Sequence, residues 1–131
     1  MRSLTNHLNA VAKDGRQVPV DLFIANGVYE IEIYKDEDGN VVNYVDINLP
    51  ISIIGESREH CIVMGGLEMN GIEEDDVNVS NLTLRDSKRH GVYGSYNGVS
   101  FHLDNVSVEN SGGRGVSVWS VQGNTILIPC V

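Results

Sequence analysis

Alanine is nearly missing from this chain, at 3 of 131 residues. It is the strongest helix former, so a helical bundle is excluded at once. Cysteine is scarce too: Cys61 and Cys130 are the two thiols, too few for a disulfide framework. Cys61 lies in the apolar run Cys61-Ile62-Val63-Met64 and reads as a buried thiol. Basic residues number 9 against 18 acids, a net charge of −9. Phosphate backbones need clustered cations, and only Arg85, Lys88 and Arg89 come close together. Nucleic acid and an anionic lipid surface are therefore disfavoured as partners. No apolar stretch approaches the roughly 20 residues of a membrane-spanning helix. The segment from Met1 to His7 lacks the apolar core of a signal peptide.

Valine (18), isoleucine (11), glycine (14), asparagine (13) and serine (11) are abundant instead. Val and Ile favour strands, and Asn and Gly favour turns. The expectation is an all-β protein with many tight turns. A chain of 131 residues supplies one core, so residues 1–131 are expected to form a single domain.

The chain also repeats itself. Asn78-Val79-Ser80-Asn81-Leu82-Thr83-Leu84-Arg85-Asp86-Ser87 lies over His102-Leu103-Asp104-Asn105-Val106-Ser107-Val108-Glu109-Asn110-Ser111 at an offset of 24, and Gly91-Val92 falls on Gly115-Val116 without a gap. Apolar positions sit over apolar ones and Asn81 over Asn105. A weaker copy sets Ile51-Ser52-Ile53 on Leu82-Thr83-Leu84 at an offset of 31, with Asn70–Asp76 as an acidic surface insertion. Upstream, Val20–Ile24 and Tyr29–Ile33 read as strands around a turn at Asn26-Gly27. Lys35–Asn40 is a further turn, leading into Val41-Val42 and Val45–Leu49.

A unit of 24 residues with short strands cannot bury its apolar face alone and must stack on its neighbours. Alternation within each copy points Leu82 and Leu84 one way and Thr83 and Arg85 the other. Stacked at strand spacing, such units predict a right-handed parallel β-helix of about four coils over residues 20–120. Leu4, Leu8, Val11 and Ala12 form a helical stripe ended by Gly15, so residues 1–15 are expected to be a short capping α-helix. Residues 121–131 break the pattern. There Ile126-Leu127-Ile128 is either a last strand, a cover for the open end or part of a longer β-helix.

The order Leu8-Asn9-Ala10-Val11, Leu22–Tyr29, Ile51-Ser52-Ile53-Ile54-Gly55, Cys61–Gly66 and Val79–Leu84 resembles the N-terminal half of the pectate-lyase-like right-handed parallel β-helix superfamily. In that superfamily a capping helix precedes a "GxY" strand, an "I-x-I-x-G" strand and "xNLTI" coils. The likeness covers most of residues 4–120. It implies the fold and leaves function open, because the superfamily includes lyases, hydrolases, esterases, epimerases and non-catalytic binding proteins. The early segment looks most like pectin methylesterases, yet no Gln-Ala-Val-Ala-Leu or Asp-Phe-Ile-Phe-Gly segment follows. The Gly-His-Gly and Arg-Ile-Lys pattern of polygalacturonases and the Asp-Pro-His motif of alginate epimerases are missing as well; Arg89-His90-Gly91 comes nearest. No family's active site can be transferred.

Chemistry concentrates between Arg85 and Tyr96. Uronate lyases and epimerases need a cation for the carboxylate, a base for the C5 proton and an acid for the leaving group. Arg85, Arg89, His90 and Tyr93 are the catalytic candidates, with Tyr96 beside them. Tyr93, Tyr96 and Trp119 are the candidate saccharide contacts. The competing reading is a solvated turn with Arg85 ion-paired to Glu109 one coil on. Asn81 and Asn105 read either as sugar-attachment sequons, which Asn78 also heads, or as an internal Asn ladder at a corner. Asp36–Asn40 lacks the Gly and Glu spacing of an EF-hand and reads as a hairpin turn at Asp38-Gly39. His7, His60, His90 and His102 lack zinc spacing, so no metal or other cofactor is expected.

Two function classes stay open. One is a non-catalytic β-helix module presenting a lateral surface to a saccharide or another chain. The other is a polysaccharide lyase, epimerase or hydrolase using residues 85–96. An open last coil would expose strand edges, so a homo-oligomer joined near residues 115–131 is expected.

Overall fold

The computed structural model describes residues 20–70, 76–94, 100–119 and 125–128. The capping helix expected over residues 1–15, most of the acidic insertion, Tyr96 and Cys130 lie outside the described residues. Among those described, the protein is all-β.

β1 (Val20–Ile24), β6 (Ile51–Gly55) and the first half of β9 (Asp76–Arg85) pair in parallel, and the first half of β11 (Ser100–Glu109) continues the stack. β2 (Gly27–Glu30), β7 (Cys61–Met64) and the second halves of β9 and β11 form a second parallel stack. β5 (Tyr44–Ile47), β8 (Gly66–Met69), β10 (Val92–Gly94) and β12 (Val116–Trp119) form a third. The first two stacks are one curled six-stranded sheet, because β9 and β11 each run through both.

The curl has a residue-level cause. In β9, Val77, Val79, Leu82 and Leu84 are all buried. A period of two from Val79 would put residue 81 inside. Asn81 instead takes a left-handed conformation (φ 58), which turns the strand and resets its phase, so that Leu82 faces inward. Asn105 (φ 55) repeats this in β11 between Leu103 and Val106. Asp86 (φ 58) and Asn110 (φ 50) sit at the next corner. Asn and Asp tolerate this region better than other non-glycine residues.

The core is a column of Ile24, Ile47, Ile51, Ile53, Val63, Leu67, Met69, Val77, Val79, Leu82, Leu84, Val92 and Val116, with the Cys61 thiol among them. Burial pushes that thiol's pKa up. Each fully buried aliphatic side chain contributes about 1.5–3 kcal/mol. At the two ends the lining is only partly buried: Val20, Leu22 and Tyr29 at one, Phe101, Leu103, Val106 and Val118 at the other.

The 24-residue offset is the observed register of β9 with β11 and of β10 with β12. The weaker copy is corrected. Ile51-Ser52-Ile53 pairs with Val77-Asn78-Val79, not with Leu82–Leu84. Leu84 instead lies beside Val63. The two alternatives carry the same apolar alternation, and the five-residue connection Glu56–His60 between β6 and β7 separates them. Thr83 is another departure: it is buried, because its Oγ1 donates to the Arg58 carbonyl of that connection at 2.6 Å. β3 (Tyr34–Lys35) and β4 (Val41–Val42) form an antiparallel hairpin. Its turn is closed by Asp36 Oδ1, which accepts from the Asp38 and Asn40 amides at 3.0 and 2.8 Å. β13 (Thr125–Ile128) is a last strand, antiparallel to β12. The outer edge of β12 expected to be open is therefore covered.

Candidate functional site

Of the predicted catalytic residues, Arg89, His90 and Tyr93 are neighbours and Arg85 is ion-paired. Arg85, on the second stack, gives Nη2 and Nε to Glu109 Oε1 at 3.0 and 3.1 Å. Arg89 is exposed in the turn between β9 and β10. His90 and Tyr93 come together, with ring centroids 5.5 Å apart and planes at 21°. On the other side Tyr93 stacks with Tyr44 at 6.2 Å and 18°. The Tyr44 hydroxyl oxygen accepts the His90 amide at 3.0 Å. Burial pushes the Tyr44 phenol up to about 12, so it stays neutral.

His90 is committed as well. Its Nδ1 accepts the Arg114 amide at 3.0 Å, which places the ring proton of the neutral imidazole on Nε2. Burial lowers its pKa from 6.5, helped by the neighbouring Arg89 and Arg114 cations. Trp119 belongs to β12. Asn81 and Asn105 do form a ladder, with Asn105 Nδ2 donating to Asn81 Oδ1 at 3.0 Å. The ladder runs along the outside rather than the interior: Asn105 is exposed and Asn81 half-buried. The αL bend turns their side chains outward as it turns Leu82 and Val106 inward.

Beside the Tyr93 stack, Asp46 and Glu68 are register neighbours on β5 and β8. Asn70 Nδ2 donates to Asp46 Oδ1 at 2.7 Å. Burial and the nearby Asp46 raise the pKa of Glu68. Among the described residues no cluster of His, Cys, Asp or Glu has the makings of a metal site.

The concave feature lies elsewhere, at the corner between the second and third stacks. It is a groove of about 590 Å³. Ile31, Ile33 and Met64 give it an apolar floor. Glu30, Asp86, Lys88, Asn110 and Ser111 give it polar lips. Its lining is drawn from four successive levels of the stacks. Neighbouring levels are about 4.8 Å apart, so the groove runs across the strands.

Two features give the lips a fixed shape. Asn110 Nδ2 donates to Asp86 Oδ1 at 2.7 Å, a second ladder beside the Asn81–Asn105 pair. Asn43, buried in the groove wall, gives Nδ2 to the Met64 and Asp86 carbonyls at 3.4 and 3.3 Å and accepts the Lys88 amide on Oδ1 at 2.7 Å. It therefore joins three levels. Sequence reasoning overlooked Asn43 and Tyr44, although both stand as polar interruptions in the apolar run 41–47. The groove itself has no sequence signal, since its lining residues are up to 82 positions apart, from Glu30 to Gly112.

Among the described residues no helix is long and apolar enough to cross a membrane. No protein-family model, curated protein or solved structure matches this chain.

Proposed function

We propose that the chain is a right-handed parallel β-helix module of the pectate-lyase-like kind, and that it binds a neutral oligosaccharide in the corner groove without transforming it. The three parallel stacks, visited in turn with a register of 24 residues in the last two levels, support the β-helix reading. The groove carries the binding reading. An apolar floor suits the C–H face of a pyranose, and short polar lips suit its hydroxyls. Its direction across the levels suits a chain ligand. The Glu30 and Asp86 carboxylates, on a chain of net charge −9, disfavour a uronate polymer.

The absence of turnover rests on commitments already made. Arg85 is paired with Glu109, and His90 Nδ1 is occupied by Arg114. Isothermal titration with cellohexaose and with trigalacturonate tests the reading. Cellohexaose binds, trigalacturonate binds at least ~10-fold more weakly, and Ile33→Asp, which charges an exposed floor residue, abolishes binding. No saccharide binding overturns the proposal. Turnover of pectate or alginate that is lost in His90→Ala would replace it with the lyase or epimerase reading.

Association with a second copy is proposed at the last level. β11 has a strand partner on one side only among the described residues, and unpaired edges invite pairing. β13 moves this edge away from β12. A monomer by light scattering at micromolar concentration overturns it.

A further inference from the structure

The groove wall made by Asn110, Ser111 and Gly112 belongs to the turn between β11 and β12. The Arg114 carbonyl of this turn accepts the Gly91 amide from the turn beneath at 3.0 Å, and four more hydrogen bonds run from this turn down to that one. Asn110 Nδ2 reaches Asp86 Oδ1, Gly112 N reaches the Ser87 carbonyl at 2.8 Å, Gly113 N reaches the Arg89 carbonyl at 2.6 Å, and Arg114 N reaches His90 Nδ1 at 3.0 Å. The Ser111 hydroxyl meanwhile points back into the turn, to the Gly113 and Arg114 carbonyls at 3.2 and 3.3 Å, and stiffens it.

The fourth tie differs from the others. Its acceptor is an imidazole nitrogen, and imidazole is the side chain whose ordinary titration lies nearest neutrality. A neutral imidazole accepts at Nδ1; an imidazolium has two N–H groups and accepts at neither. Protonation therefore breaks this tie and leaves the Arg114 amide facing another donor. The ring has little room to turn away. Tyr93 packs against it, Tyr44 holds its backbone amide, and a Cβ on Gly113 would stand 2.8 Å from Nδ1. The charged groups that face it are Arg89 in its own turn and Arg114 in the turn above. Both are cations, so the imidazolium gains no compensating partner from either.

We infer that His90 is a proton-operated clasp: when neutral it holds the Asn110–Arg114 turn, and with it one wall of the groove, in the shape that receives ligand. This rests on the groove being the binding site. Release on acidification is local, because the Gly112 and Gly113 amides keep carbonyl acceptors that do not titrate. A burial-lowered pKa places the release below the ordinary value of 6.5 rather than at neutrality.

An amide-resolved NMR titration from about pH 8 to about pH 5 tests the clasp without any ligand. The Arg114 amide shifts and loses exchange protection with the same midpoint as the His90 imidazole. An Arg114 amide that stays protected while His90 titrates overturns the inference. Cellohexaose titrations over the same range supply the second arm. Affinity weakens about 3- to 10-fold on protonation, the scale of one lost hydrogen bond. His90→Gln keeps an acceptor that cannot titrate and flattens the profile, whereas His102→Gln, on the exposed first stack, leaves it unchanged. A wild-type profile in His90→Gln overturns the inference. Gly113→Ala displaces the ring without changing charge and exposes the Arg114 amide at every pH, which checks the clasp should His90→Gln fold poorly. If cellohexaose binds at no pH, the groove reading falls, while the Arg114 amide still decides the clasp.

Discussion

Asn110 donates its side-chain amide to the Asp86 carboxylate at 2.7 Å across 24 residues of sequence, and both backbones are left-handed at that point. Asn105 and Asn81 repeat the arrangement one corner earlier at 3.0 Å. Each corner thus combines a backbone bend that most residues resist with a hydrogen bond between successive levels. Replacing Asn105 with Leu loses both and costs about 1.5–3.5 kcal/mol, the sum of the αL penalty and one hydrogen bond. Asn105→Gly keeps the bend and costs less. Asp86→Asn keeps both bend and ladder and shifts the urea midpoint little. Equal losses in Asn105→Leu and Asn105→Gly would show that the bend is not what the residue supplies.

Gly55 and Gly39 are needed for different reasons. A Cβ at Gly55 would run into the Asn81 carbonyl and come 3.0 Å from Cys61 Sγ, both held in the packed interior. Gly55→Ala should cost about 2–3 kcal/mol as overpacking. Gly39 has open space around it and a φ of 82 in the hairpin turn. Gly39→Ala should cost about 1 kcal/mol, from the backbone alone. Thermal unfolding of the two variants at one pH ranks them; the reverse order contradicts this account.

Arg85 and Glu109 are an exposed pair, with side chains 39% and 44% accessible. Exposed pairs contribute about 0–1 kcal/mol and weaken with salt. A double-mutant cycle with Arg85→Ala and Glu109→Ala should give a coupling inside that range, smaller in about 1 M salt. Neither change should alter saccharide affinity, since neither residue lines the groove. A large loss of binding in Arg85→Ala would return Arg85 to the candidate site.

Glu68 supplies a pH signature of stability. Its folded pKa is raised, first by burial and then by the Asp46 carboxylate. The folded state therefore holds its proton more tightly than the unfolded chain, and this contribution is present at low pH and lost as pH rises through the folded pKa. Glu68→Gln removes the charge and raises Tm at neutral pH, with a gain that shrinks on acidification. His90 acts in the opposite sense. Its folded pKa is lowered, so its contribution is present above the ordinary value of 6.5 and lost as pH falls below it. Melting curves of the two single variants across pH separate the signs.

Much of the architecture was legible in the residues. The 24-residue repeat named the partners of β9 and β10, because stacked levels share one environment and select like residues at like positions. Its failure at Ile51–Ile53 is also physical: both halves of β9 carry the same apolar–polar alternation, so alternation alone cannot choose between two stacks. The site was far less legible. Arg85, His90 and Tyr93 stand out by their side chains, whereas their partners, Glu109 for Arg85 and the Arg114 amide for His90 Nδ1, lie 24 residues on. Asn43 looked like an ordinary strand residue and turned out to join three levels.

By itself the sequence determined the all-β character, the repeat and the asparagine corners. These follow from local propensities and from a hydrophobic period of two, which segments such as β9 and β11 carry within them. Only the tertiary structure decided how β6 and β7 divide the two halves of β9 between them, that the ladders face outward, and where the concavity falls. Those outcomes depend on backbone bends and on contacts between residues tens of positions apart. The left-handed residues Asn81, Asp86, Asn105 and Asn110 reset the facing of the residues that follow them, and no local period encodes that reset.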